Sequence, residues 1–198
     1  MDHGLEIFGN LGDLKDLERT GWQQKDVDNA ETVASHSWGA AVLALHYGRA
    51  VDWNVDIDGR RYSLDPFKTV NMALLHDTEQ AISGDLPSKP EKDQMQVSPD
   101  TKKKKEEKAV EELYDHRFNY EKSIWNQTQE MESAEAIFVE DMEQIDMVLQ
   151  ALKYTEEERT EEDMEEFFLS AGESIQTDVG EVLYNEVLEK YEDIMGNM

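Results

Sequence analysis

The residues that could do chemistry in this chain are a few histidines and acids set among apolar neighbours. The stretch Met72-Ala73-Leu74-Leu75-His76-Asp77-Thr78-Glu79-Gln80-Ala81-Ile82-Ser83-Gly84-Asp85-Leu86-Pro87 reads as an apolar helix with a His-Asp pair in its body, broken into a loop at Gly84. A histidine beside a carboxylate in an apolar setting is costly unless something pairs them. A metal ion would do so. His36 lies on a second stripe with Val33, Ala40, Leu43 and Tyr47. A lone histidine on such a face is more often a hydrogen-bonded core residue than a ligand. A third segment sets Asp141, Glu143 and Asp146 among Phe138, Met142, Ile145, Leu149 and Leu152. Each signal alone is weak. A histidine on one buried helix, a His-Asp pair on another and a carboxylate on a third together make a mixed nitrogen and oxygen ligand set. That set suits Mn, Co, Ni, Fe or Zn rather than Ca. His3 and His46 have no supporting pattern. Arg19 and Trp22 could hold a phosphate and stack on a base; the competing reading is a surface arginine beside an ordinary core tryptophan.

The elements that must position these groups read as helices. Leu5, Phe8, Leu11, Leu14 and Leu17 recur at intervals of three, a helix face that Gly21 ends. A second helix is expected from Glu31, with Asn29 as its cap. Asp52 to Tyr62 reads as a link too polar for the core. Asp65-Pro66 opens a third helix, proline suiting the first helical position. On it Val70, Leu74, Asp77 and Ala81 form one stripe, which turns Asp77 inward with His76 about 100° round. Ser83 to Asp100 is a loop, followed by a charged helix from Thr101 to His116. Its Lys102-Lys103-Lys104-Lys105 run faces Glu106 and Glu107 in ion-pairing register, a solvated face rather than a nucleic-acid site. Residues 118–131 are expected to form a short helix with Phe118 and Trp125 buried. Glu132 to Tyr154 has the most regular core face in the chain. Thr160-Glu161-Glu162-Asp163 resembles a capping box opening a helix that ends near Gly172. Thr177 or Asp178 caps a last helix with Val179, Leu183, Val187, Tyr191 and Ile194 inside. No strand-like alternation stands out, so the expected fold is all-α.

Bulk properties bound the function. At 198 residues the chain is expected to be a single domain over 1–198. With 46 acids against 19 basic residues the formal net charge is −27. Such a surface repels nucleic acid and anionic membranes, and its self-repulsion destabilises the compact state. Molar salt, with a screening length of about 3 Å, relieves that cost. The acidity is therefore read as adaptation to the salt-loaded cytoplasm of a halophilic microbe. The lack of cysteine removes disulfides, thiolate metal sites and a cysteine nucleophile. No secretory signal and no apolar run of roughly 18 residues appears, so a cytoplasmic protein is expected.

The motifs resemble a known family. Thr32-Val33-Ala34-Ser35-His36-Ser37-Trp38, Met72-Ala73-Leu74-Leu75-His76-Asp77 and Ser83-Gly84-Asp85-Leu86-Pro87 are similar to those of the HD-domain phosphohydrolases. More narrowly they resemble the 5′-deoxynucleotidase branch, of the YfbR kind. Arg19-Thr20-Gly21-Trp22, Glu106-Glu107-Lys108-Ala109, Ser133-Ala134-Glu135-Ala136, Met147-Val148-Leu149-Gln150-Ala151 and Glu166-Phe167-Phe168 extend the resemblance in order over nearly the whole chain.

The resemblance implies a helical bundle around one divalent transition metal, with a nucleoside monophosphate as substrate and a homodimer as assembly. It places the metal ligands on His36, His76, Asp77 and Glu143, a catalytic acid on Asp85, and the substrate-phosphate residues on Arg19 and Trp22. Three positions depart from the pattern. Gln80 stands where the family has a catalytic glutamate, with Glu79 beside it but about 100° round a helix. Glu143 replaces an aspartate, and helical phasing puts Asp141 nearer the apolar face, so both stay open as last ligand. Ser35 replaces an acid before the first metal histidine. Two functions follow as expectations: hydrolysis of nucleoside 5′-monophosphates, or a degenerate HD domain that binds a nucleotide or a protein partner without turnover. Cyclic-nucleotide or triphosphate hydrolysis is a weaker third.

Overall fold

The computed structural model describes residues 3–86 and 98–197. Pro87 and most of the expected 83–100 loop lie outside the described residues. The helices are α1 (His3–Asp13), α2 (Thr20–Gln23), α3 (Val33–Ala50), α4 (Pro66–Leu75), α5 (Gln80–Ser83), α6 (Pro99–Leu113), α7 (Asn119–Glu130), α8 (Ala134–Glu156), α9 (Glu165–Ser174) and α10 (Asp178–Asn197), with strands β1 (Asn54–Ile57) and β2 (Arg60–Ser63) between α3 and α4. Among the described residues no helix is long and apolar enough to cross a membrane.

α8 is the spine. It packs against α3, α4, α9 and α10, because its apolar residues surround most of its circumference: Ala136, Phe138, Val139, Met142, Ile145, Val148 and Ala151 are all buried. Ser133 caps it by accepting the Ala136 N–H. One core cluster joins α8 to α3 and α4 through Ala41, Ala44, Met72 and Ala73. A second joins its C-terminal half to Trp22, Phe168 and Tyr191. The small residues of α3 allow the close approach: Ala40, Ala41, Ala44 and Gly48 are buried.

Several sequence expectations are corrected by the tertiary structure. Asp52 to Tyr62 is not a bare link but carries an antiparallel β1–β2 hairpin. Val55 and Ile57 are buried, while the residues of β2 are exposed. Asp58 and Gly59 both take positive φ, 52° and 76°, the backbone of a tight Asp-Gly hairpin turn. α4 stops at Leu75, so His76 and Asp77 sit in a turn just beyond a helix end rather than inside one. Its buried face is Thr69, Met72 and Ala73; Leu74, placed inside by the periodicity, is exposed. α3 begins at Val33, capped by Thr32, whose hydroxyl accepts the Ser35 N–H; Asn29 is not the cap. Thr160 caps no helix: its hydroxyl donates to the Lys25 carbonyl at 2.5 Å and accepts the Glu162 N–H at 3.1 Å within a turn, and α9 starts later. α1 ends at Asp13, short of the expected face, and Phe118 is only partly buried. Leu149 is 38% exposed, leaving Phe138, Met142, Ile145 and Leu152 as the inner face. The Lys102–Glu106 pair forms as expected, 3.7 Å apart one turn along α6.

Candidate metal centre

The centre is assembled at the junction of α3, the turn after α4, and α8. His76 is the C-cap of α4, still with helical backbone angles (φ −57°, ψ −36°), and its Nδ1 donates to the Ala73 carbonyl at 2.9 Å. A carbonyl can only accept, so the proton sits on Nδ1 and the Nε2 lone pair is free. Nε2 lies 3.0 Å from Asp77 Oδ2, yet it is buried with no hydrogen-bond partner. His36 on α3 is buried, and its Nδ1 lies 2.8 Å from Asp146 Oδ2 on α8. An ionised Asp146 accepts that proton and likewise frees His36 Nε2. The two imidazoles stand 5.2 Å apart, edge to face. One donor atom each from His36, His76 and Asp77 fall within 4.8 Å of one another. Glu143 is the adjacent acid: its Oε1 is 3.6 Å from His76 Nδ1 and has no hydrogen-bond partner.

This donor set fits a divalent transition metal. Two imidazoles whose Nδ1 atoms are tied to a carbonyl and a carboxylate, leaving Nε2 to an ion that would displace any proton there, match the usual support of metal-bound histidine. Orphaned buried atoms on His76 and Glu143 are otherwise unexplained costs.

Electrostatics agree. Burial disfavours the Glu143 carboxylate and, with His76 opposing, its pKa is pushed up to about 8. Burial raises Asp146 to about 7 against the pull of Arg19 and His76. Glu31 rises to about 7 through burial and then Asp146. His36 is held well below its ordinary value by burial, then by Arg19 and His76. Burial also opposes the charge on His76, but Asp77 and Glu143 outweigh it and raise the group to about 10. Asp77 moves down, because His76, His36 and Arg19 overcome its burial. Burial thus pushes the acids Glu143, Asp146 and Glu31 toward their neutral forms, a cost that a bound cation would relieve.

The two candidate acids on α8 face different partners. Asp141 accepts from Gln176 N at 3.0 Å, Thr177 N at 2.7 Å and Thr177 Oγ1 at 2.5 Å. It fastens α8 to the start of α10, away from the histidines. Glu143, about 200° round the helix from it, faces the cavity. Asp146 is a partner that the sequence reading did not assign. It lies one turn beyond Glu143 on the same face. Its approach to His36 depends on Gly39, where a Cβ would overlap the Asp146 carboxylate. Glu31, His36 and Asp146 form a second close cluster sharing His36; Asp146 there already takes the His36 Nδ1 proton.

A cavity of about 820 Å³ opens over the centre and is lined by Arg19, Trp22, His36, His76, Asp77, Gln80, Asp85 and Glu143. Arg19 lines it with a buried Nη1 that lacks a hydrogen-bond partner and lies 3.8 Å from Glu31 Oε2. Trp22 belongs to the core: it is 1% exposed, donates its indole N–H to Glu31 at 3.2 Å, and packs on Tyr154 and Phe167. At that exposure it has no free face to offer a ligand; it contacts Glu31 and Arg19 instead. Asp85 reaches back to α2, accepting the Thr20 N–H at 2.6 Å, while Thr20 Oγ1 donates to the Asp85 carbonyl at 2.8 Å. Gln80 Oε1 is buried without a partner. Glu79 is 3% exposed and is anchored by the Trp125 indole at 2.6 Å. Burial, then Asp77, pushes its pKa up to about 8.

With this geometry in hand, comparison with known proteins is decisive at the family level. The HD domain profile matches residues 11–183. This chain belongs to the HD domain family. Curated relatives include the 5′-deoxynucleotidase HDDC2 of Xenopus laevis, 28% identical over 170 residues, covering 84% of this chain and 76% of that protein. The 5′-deoxynucleotidase hdd1 of Schizosaccharomyces pombe is 23% identical over 196 residues, covering 95% and 90%. Among solved structures, PH0347 protein from Pyrococcus horikoshii OT3 superposes with a TM-score of 0.74 at 25% identity, covering 95% of this chain and 98% of its own. A predicted metal-dependent phosphohydrolase from Magnetospirillum magnetotacticum shares the fold, with a TM-score of 0.64 at 18% identity, covering 97% and 91%.

Proposed function

We propose that this HD-domain protein is a metal-dependent phosphohydrolase that releases phosphate from (deoxy)nucleoside 5′-monophosphates. The observation that carries the reading is the pairing, in one cavity, of a two-imidazole and carboxylate cluster with the Arg19 side chain, whose buried Nη1 has no hydrogen-bond partner. His36, His76, Asp77 and Glu143 are the residues that would hold one divalent ion, from among Mn, Co, Ni, Fe and Zn. When bound, the ion supplies Lewis-acid activation of water and neutralises phosphate charge.

The chain's own residues do the rest. Arg19 binds the phosphate through Nη1, the guanidinium nitrogen left without a hydrogen-bond partner, in a charge-assisted contact. One Asp85 oxygen takes the Thr20 N–H; the other is the one to pass a proton to the leaving 5′ oxygen. The Gln80 amide orients the attacking water but cannot carry its proton. General acid–base help is typically worth about 10²–10⁴ in rate, so Gln80 caps the turnover.

The curated relatives named 5′-deoxynucleotidase support the substrate class. Gln80 is the specific observation favouring a second reading, a domain that holds a nucleotide or a partner without turnover. A phosphate-release panel of nucleotides against several metals in molar KCl separates the two. Release abolished by Asp77→Ala supports the enzyme. Nucleotide binding with no release under any metal refutes it.

The same reading extends to setting and assembly. The whole chain acts as one HD domain in the cytoplasm of a halophile, consistent with a net charge of −27, and has no role on nucleic acid or membranes. Trp38, Val42 and Leu45 form an exposed apolar stripe on α3 that supports a homodimer.

A further inference from the structure

We infer that Phe167 is the surface on which the substrate's nucleobase lies, and that this contact, blind to which base it is, makes the site prefer nucleotides to phosphorylated sugars. The inference rests on the nucleotidase reading above and names the residue that recognises the base.

The choice of ring follows by elimination. Among the described residues, the aromatic rings lining the cavity are those of His36, His76, Trp22 and Phe167. The two imidazoles belong to the metal centre. Trp22 is 1% exposed and has no face to give. Phe167, on α9, is only partly buried. A flat apolar surface left open inside a polar cavity is covered at a gain by another flat ring.

The ring is held from behind. Trp22 packs against it with ring centroids 4.4 Å apart and planes inclined by 38°. Gly21 makes room for its edge: a Cβ there would come within 3.3 Å of Phe167 Cε1, closer than ordinary contact. Met147 on α8 packs on the same cluster and lines the same cavity, adding a polarisable apolar neighbour. A side chain already fixed loses little freedom when a ligand covers it.

Trp22 also relates this ring to the phosphate site, because it touches both. Arg19 Cζ lies 6.0 Å from the Trp22 ring centre. Arg19 and Phe167 are therefore no further apart than that distance and the 4.4 Å ring separation laid end to end. The sugar of a nucleotide spans such a reach between its 5′-phosphate and its base. Met147 follows Glu143 by one turn of α8, about 6 Å along the helix, so the same wall borders the metal centre. A nucleotide whose phosphate rests on Arg19 can set its base on Phe167.

Stacking reads ring area and not hydrogen-bond pattern, since every base has a π-face. Purines and pyrimidines are thus both accepted, while a phosphorylated sugar has nothing to place on the ring. One stacked base contributes about tenfold to a hundredfold in affinity.

The test uses the full-length chain with its metal, in molar KCl. Values of kcat/KM for phosphate release are compared for dAMP, dCMP and deoxyribose 5-phosphate, the last lacking a base. Binding of deoxyadenosine, which has no phosphate to release, is followed by calorimetry. Expected is a preference of about tenfold or more for both nucleotides over the sugar phosphate. Phe167→Leu keeps an apolar side chain against Trp22 but removes the ring face. It should bring that preference toward one and weaken deoxyadenosine binding by about tenfold, and Phe167→Tyr should retain both properties. Phe167→Met serves the same purpose if the leucine variant does not fold. A nucleotide preference that survives the loss of the ring overturns the platform and leaves the nucleotidase reading intact. So does a loss shared equally by nucleotides and sugar phosphate, the mark of a core residue alone. A wild type that hydrolyses the sugar phosphate as readily as the nucleotides also overturns it. Deoxyadenosine binding that Phe167→Leu abolishes, in a protein that releases no phosphate, upholds the platform and refutes the nucleotidase. Neither binding nor release overturns both.

Discussion

Asp141 and Glu143 stand two residues apart on α8, and exchanging each should break a different property. Asp141 is fully buried and accepts three hydrogen bonds, from Gln176 N, Thr177 N and Thr177 Oγ1. Asp141→Ala leaves these donors buried without an acceptor at the start of α10. Hydrogen bonds to a charged group contribute about 1.5–3 kcal/mol each, but the partners relax together, so we expect a loss of about 3–5 kcal/mol in total. For a chain of this size that lowers the melting temperature by roughly 6–20 °C. Metal content after refolding in molar KCl should stay near the wild-type level. Glu143→Gln should do the reverse. It removes a carboxylate whose burial holds its pKa up near 8, so the melting temperature of the metal-free protein is unchanged or higher. Metal affinity falls by at least tenfold. Thermal unfolding in the presence of a chelator and metal titration by calorimetry read the two properties separately. An Asp141→Ala protein that melts normally but has lost its metal would refute the assignment. So would a Glu143→Gln protein that binds metal undiminished.

The remaining expectations concern the same centre. Gln80→Glu restores a group able to take a proton, and should raise kcat for phosphate release by about 10²-fold or more; an unchanged rate means proton transfer does not limit this enzyme. Asp146→Asn and Gly39→Ala both disturb the His36 Nδ1 bond, the second by displacing the Asp146 carboxylate. Each should weaken metal binding by about 10–100-fold, read by metal titration; retained affinity would show that His36 needs no orienting partner.

The metal-free protein should also lose stability as pH rises from about 4 to 8. Glu143, Asp146 and Glu31 have folded pKa values raised to about 8, 7 and 7, so the folded state keeps protons that the unfolded chain releases over that window. His76, raised to about 10, contributes stability that is full below about 6.5 and lost through 10. His36, shifted down, opposes this only on the acid side of its ordinary value. Melting temperatures at pH 5 and pH 8 with chelator in molar KCl check the sign, and added metal should narrow the gap because it binds deprotonated ligands.

Much of the site was legible before any folding. His36, His76 and Asp77 are conspicuous because polar, metal-binding side chains among apolar neighbours need a partner, and that argument depends only on residue type and spacing. The all-α character was likewise readable, since helical periodicity repeats over many residues and averages out exceptions. The hairpin escaped because each strand has four residues, of which only Val55 and Ile57 are buried, too short a run for alternation to stand out. The end of α4 at Leu75 escaped because nothing in Leu75-His76-Asp77-Thr78 is a helix breaker; the turn is held by tertiary contacts, including Tyr114 donating to Thr78 at 2.7 Å.

Periodicity ranks residues against a helix's own apolar face, and it ranked Asp141 above Glu143. Which buried acid meets a ligand site depends on what packs against each side of α8: α10 takes Asp141, while α3 and the turn after α4 take Glu143 and Asp146. The same holds for His36 and Asp146, 110 residues apart, and for Trp22, whose stacking partners come from α8 and α9. Residue chemistry is local and so can be read along the chain. The direction in which a buried charge points is set by the relative placement of helices, and only the packed structure decides it.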